Sequence, residues 1–222
     1  MSILRQPRES VRSRAKDDAI QSAARKLFLN AGLRETSMDA IAAEAKVSKQ
    51  TLYRYFGSKE QLFVEVLGRM AAEGMATDIG ELAPASPLTR GELEATLLRI
   101  ATRMLGYVLD PTYLDLARIL IAEARYVPDL AGRFRVTVIE RVAAALVRLL
   151  ASPQLAAIVS IPRVEPVLRL FVAPLLSYEL EGLLGDPADV RKRAEAELPI
   201  VVRLFVRAIA ASKPGNSAGG LI

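Results

Sequence analysis

The 222-residue chain contains no cysteine and no histidine. The first absence excludes disulfides and thiolate metal sites. The second removes the commonest general base and the commonest metal ligand together. An enzyme made from this sequence would have to work with carboxylates, Lys, Tyr or Ser, and no paired motif of that kind is present. An enzyme is therefore not expected, and neither a metal nor another cofactor is implied. Long apolar runs are also missing. The longest uncharged stretch, Leu149 to Pro162, holds Ser, Gln and two prolines, and it is too short to span a bilayer. No apolar segment of secretory type follows the charged N-terminus, so a cytoplasmic location is expected.

What remains is globular in character. Hydrophobic residues make up 51% of the chain and charged residues 25%, which separates it from disordered sequences and allows one large domain or two small ones. The net charge of +5 is unevenly placed: residues 1–60 carry twelve basic and seven acidic side chains, so this segment holds the whole excess. A basic end on a neutral body points to a polyanionic partner.

Residues 37–62 contain the most specific signal. Ser37 is placed to cap a short helix whose first turn holds Asp39, and Ile41, Ala42 and Ala45 give that helix a small apolar face. Ser48 caps a second helix with Leu52 and Phe56 on its buried side. Gly57 is the residue type expected where a helix ends at positive φ. Ser58, with Gln61 three residues later, reads as a capping box that opens a third helix. Two short helices joined by a tight turn form a helix-turn-helix, whose second helix can enter a major groove. The residues left exposed there, Lys49, Gln50, Thr51, Tyr53, Arg54 and Tyr55, are donors or aromatic hydroxyls, and none is acidic. Lys59 adds a cation at the start of the next helix. Gln can bond adenine bidentately, and a Thr methyl can meet a thymine methyl.

The stretch from Ala45 to Leu62 resembles the DNA-binding signature of TetR-type transcriptional regulators. It departs at one position: Lys46 stands where the family usually has glycine, in a turn that calls for a left-handed residue. The resemblance implies that Lys49, Gln50, Thr51 and Tyr55 read bases, while Ser37, Ser48, Tyr53 and Lys59 hold phosphates. A second resemblance, over Ile119 to Phe134, is to the C-terminal domain of one branch of the same regulators.

The rest of the chain reads as all-α, with about nine helices in total. Residues 1–12 form a basic arm that is expected to be flexible, and residues 13–57 form a three-helix DNA-binding domain. Residues 58–211 form a larger helical domain for effector binding and dimerisation, and the Pro-, Gly- and Ser-rich tail 212–222 is expected to be disordered. Within the larger domain, a helix from Ser58 to about Thr77 belongs to both halves and reads as the lever between them. A loop follows over Gly80 to Gly91. Stripes at Leu93–Val108 and Leu116–Glu123 give two helices. A third has Pro128 and Asp129 in its first turn and runs to Leu149. The last two helices, from about Val164 to Leu184 and from about Ala188 to Ala211, contain Pro174 and Pro199 and carry more apolar surface than one chain can cover. The resemblance implies that this pair meets its copy in a two-fold four-helix bundle.

The expected function is a ligand-responsive repressor that binds a pseudo-palindrome as a dimer, with half-sites roughly 34–36 Å apart. A small lipophilic effector is expected in the second domain, with Tyr107, Glu123 and Tyr178 as its polar anchors. The competing reading is a helical ligand-binding or protein-interaction module without specific DNA binding.

Overall fold

The computed structural model describes residues 6–81, 85–155, 158–159 and 164–209, and every regular element among them is helical. The segments are α1 (Gln6–Glu35), α2 (Met38–Glu44), α3 (Lys49–Tyr55), α4 (Lys59–Gly68), α5 (Gly74–Glu81), α6 (Arg90–Val108), α7 (Pro111–Glu123), α8 (Leu130–Phe134), α9 (Glu140–Leu150), α10 (Val164–Leu184) and α11 (Pro187–Ile209). Short π-helical stretches, Arg69–Glu73 and Arg135–Ile139, join α4 to α5 and α8 to α9. Residues 1–5 of the basic arm and the tail 212–222 lie outside the described residues.

The chain forms two compact units. The first comprises Met1–Ala72 with Thr112–Ile139, and the second Glu73–Pro111 with Glu140–Ile222. The segment 112–139, assigned from sequence to the second domain, thus packs with the first 72 residues.

In the first unit Ile20, Ala24 and Phe28 recur at intervals of four, the spacing that aligns one face of α1, and all three are fully buried. The Phe28 ring meets Phe63 of α4 edge-on, with centroids 5.1 Å apart. Ile41 of α2, Leu52 of α3 and Leu62 of α4 complete this core. Gly32 breaks the geometry of α1 at φ 78°, as its place at the end of the apolar stripe predicts. The buried Thr36 hydroxyl donates there to the carbonyls of Leu27 (3.2 Å) and Gly32 (2.7 Å). Arg69 reaches back from the π-turn to Asp17 and Asp18, 2.8 Å from each. α4 also packs on α8 and on the π-turn that follows it.

In the second unit α6 packs against α5, α10 and α11, and α9 packs against α5 and α10. A full capping box starts α6: the Thr89 N–H donates to Glu92 Oε2 at 2.7 Å, and the Glu92 N–H donates to Thr89 Oγ1 at 3.3 Å. Donation from the Thr89 N–H, and from its hydroxyl at 2.7 Å, holds the Glu92 carboxyl below its ordinary range. Phe171 and Phe205 join α10 to α11, with centroids 5.1 Å apart, and the Arg191 guanidinium donates to the carbonyl of Leu109 at 3.2 Å.

Several boundaries differ from the sequence reading. α1 begins at Gln6 rather than Ser13, because Arg, Gln, Glu and Lys favour helix without leaving an apolar stripe to mark it. The lever helix continues to Glu81 and contains a π-turn. Asp129 does not sit in a first helical turn: it precedes α8 at φ 62° and makes no side-chain cap bond.

Candidate nucleic-acid interface

The turn between α2 and α3 is closed by the backbone. The Val47 N–H donates to the carbonyl of Ala42 at 3.0 Å, and the Lys46 N–H donates to that of Ala43 at 3.2 Å. This crossed pair is the Schellman arrangement, in which the residue at the Lys46 position turns left-handed. Lys46 has φ 54°. The non-glycine residue therefore adopts the backbone that the signature calls for.

Serines start all three short elements. Ser37 Oγ accepts from the N–H of Ala40, Ser48 Oγ from Thr51, and Ser58 Oγ from Gln61, each at 3.1 Å. Ser48 and Thr51 also share a hydroxyl–hydroxyl bond of 2.8 Å. The capping box expected at Ser58 takes a different form. The Gln61 amide donates to Glu65 at 2.8 Å and accepts from Arg133 at 3.3 Å, because a side chain from α8 is within reach. Gly57 also departs from expectation, since among the described glycines only Gly32 has positive φ.

With Leu52 buried, α3 presents Lys49, Gln50, Tyr53 and Arg54 to solvent, and Thr51 and Tyr55 are half-buried. The Arg54 guanidinium lies 5.6 Å from the Tyr55 ring centroid. The Lys49 ammonium lies 2.8 Å from Asp39 at the start of α2, and that hydrogen bond and charge raise its pKa. Both groups are largely exposed, so the pair is weak and a phosphate can compete for the lysine. Lys59 donates to the carbonyl of Arg34 at 2.9 Å, which ties the start of α4 to the end of α1.

Of the three proposed effector anchors, Tyr107 and Tyr178 belong to the second unit. Tyr107 is half-buried with its ring against Gly74, where a Cβ would fall 2.5 Å from Cζ. Tyr178 is buried and donates to Glu197 at 2.6 Å. Its pKa is pushed up to about 12 by burial and by the Glu197 bond. Glu123 belongs to the other unit, and its carboxylate accepts from Arg34 at 2.7 Å. Arg34 also stacks on Tyr126, 4.1 Å from the ring centroid, with Arg125 at 4.4 Å. Arg34, Tyr126 and Arg133 carried no local sequence signal, because their partners lie far along the chain.

Among the described residues no group of three or more Asp or Glu side chains is placed to hold a metal. No described helix is long and apolar enough to cross a membrane.

A capped helix-turn-helix on an all-helical chain defines the class as a transcription regulator with a DNA-binding domain. Residues 20–66 match the family model for bacterial regulatory proteins of the tetR family, and residues 95–173 match that for the AefR-like transcriptional repressor C-terminal domain. Together the two matches span more than half of the sequence, and the chain belongs to the TetR family. A putative TetR-family regulator from Mesorhizobium loti is 26% identical, with 90% of this chain and 99% of that one covered at a TM-score of 0.68. The flavonoid-responsive regulator FrrA is 27% identical, with 90% and 100% covered at 0.62. NalD, the secondary repressor of the MexAB-OprM efflux pump in Pseudomonas aeruginosa, shares the fold at 19% identity, with 90% and 98% covered and a TM-score of 0.54. No curated protein matches the chain.

Proposed function

We propose that the protein is a homodimeric repressor that binds a pseudo-palindromic operator and is released by a small lipophilic effector. The observation that carries this reading is α3: a capped helix whose exposed side chains are donors and whose apolar side is fully committed to the core. Lys49, Gln50, Thr51 and Tyr55 face base edges in this reading, and Arg54 supplies a further donor. Ser37, Ser48, Tyr53 and Lys59 hold the flanking phosphates. Dimerisation is supported by exposed leucines on α10 and by Ile200 and Leu204 on α11, all of which a single chain leaves in water. In the second unit, Tyr107 and Tyr178 are the polar groups proposed to orient an effector. Glu123 is engaged by Arg34. FrrA is flavonoid-responsive by name, so planar, largely apolar phenolics are the first class to screen.

The test is fluorescence anisotropy with DNA flanking the protein's own gene, a scrambled duplex as control, and several salt concentrations. Nanomolar binding that beats the control by ~10³ or more establishes specific recognition. Weak binding that is equal for both duplexes and lost with salt leaves only phosphate attraction. That outcome favours the helical ligand-binding or interaction module instead.

A further inference from the structure

Serine caps fix the first turns of α2 and α3, and those two turns set one charged pair side by side. Asp39 lies in the first turn of α2, and Lys49 opens α3. The Lys49 ammonium stands 2.8 Å from Asp39 Oδ1 and 3.0 Å from Oδ2. The Lys49 and Asp39 side chains remain 58% and 67% exposed, so both charged heads are open to whatever α3 meets. Glu44, the other carboxylate on these two helices, is engaged by Lys26 at 2.6 Å at the opposite end of α2. Asp39 is therefore the carboxylate of this motif that borders the residues proposed to read bases.

A carboxylate in that place has consequences. The motif is proposed to meet a polyanion, and an acidic side chain that touches nothing on DNA weakens binding by repulsion. The valences of the pair offer another role. A carboxylate has about four acceptor sites and an ammonium three donors. Their mutual contact uses at most two of each, so an acceptor and a donor stay free side by side. In the major groove a G·C pair presents the complement, with N7 and O6 of guanine accepting next to the N4 amine of cytosine. Lys is a standard partner of guanine, and Asp of the cytosine amine. An A·T pair also sets a donor beside an acceptor, but its thymine methyl would meet an ion pair rather than an apolar group. We propose that Asp39 is a specificity-determining residue that reads a single G·C base pair together with Lys49, its carboxylate accepting from cytosine N4 while the ammonium donates to guanine. This rests on the operator-binding reading above and deepens it by naming a base pair within each half-site.

The test is selection from a randomised duplex library with the full chain, followed by anisotropy on duplexes changed at the selected positions. The wild type should enrich G·C at a position where Asp39→Ala and Lys49→Ala each lower discrimination by about tenfold. The double variant should lose little more than either alone, because both groups act on the same base pair. Both side chains are exposed, so neither change reaches the core. Three results overturn the inference and leave the regulator standing. The first is an Asp39→Ala variant that tightens on all duplexes alike with its preferences unchanged, which makes the carboxylate only a repulsive charge. The second is loss of discrimination at different positions in the two variants, and the third is loss at an A·T position. A wild type that enriches no sequence at all defeats the operator-binding reading itself, and this inference with it.

Discussion

Lys46 carries a side chain through the left-handed turn between the two helices of the DNA-binding motif. A β-carbon there costs roughly 1–2 kcal/mol, and glycine's extra freedom in the unfolded chain returns about 0.5–1 kcal/mol of that. Lys46→Gly should therefore stabilise the protein by about 0.5 kcal/mol in urea unfolding, and Lys46→Val should destabilise it. A loss of stability in the glycine variant would show that the lysine side chain has a compensating contact. Tyr178 makes a prediction in pH. Its folded pKa is raised from 10.0 to about 12 by burial and by the Glu197 bond. The folded state thus favours the protonated phenol, and this contribution is complete below pH 10 and lost as pH rises toward 12. Stability should fall by on the order of 2 kcal/mol across that window relative to Tyr178→Phe, and tyrosinate absorbance should show one late-titrating residue. At this scale the serine caps were legible because donor and acceptor lie three residues apart. The Arg34–Glu123 pair was not, because 89 residues separate its members.

The helices themselves were legible where an apolar stripe of period 3.6 exists, and illegible where it does not. The first residues of α1 show no such stripe, and the π-turns add residues that a periodicity count passes over. Those turns stand at informative points. The chain passes from the first unit to the second within Arg69–Glu73, and again at the end of Arg135–Ile139. A π-turn interrupts the regular ladder of an α-helix and is frequent at functional sites. Amides in both stretches should exchange hydrogen faster than those of Leu62–Leu67, whose side chains are almost all fully buried. Hydrogen-exchange mass spectrometry with peptides covering 62–74 and 130–145 checks this. Equal protection along α4 and its π-turn would mean that the lever is one stiff rod. A hinge there would instead let an effector in the second unit bias the reading helix through a change in population rather than by unfolding.

For the molecule as a whole, the question is what covers the last two helices. Leu168, Phe171 and Leu175 face inward on α10, while Leu176, Leu180 and Leu184 remain 53%, 55% and 81% exposed. On α11, Ile200 and Leu204 are each 59% exposed. The excess of apolar residues was plain in the sequence. Which of them stay outside was not, because periodicity does not say how many faces a single chain can cover. A two-fold interface meets each side chain twice, and burying one leucine contributes about 1.5–3 kcal/mol, so Leu180→Asp should weaken a dimer formed here by roughly 3–6 kcal/mol. Sedimentation velocity at micromolar concentration should then show wild-type dimer and variant monomer, while circular dichroism confirms that the variant keeps its helices. Operator binding should weaken in step, since each half-site alone engages one reading helix. A variant that stays dimeric would move the interface to another face and leave these leucines without the role that the dimeric repressor gives them.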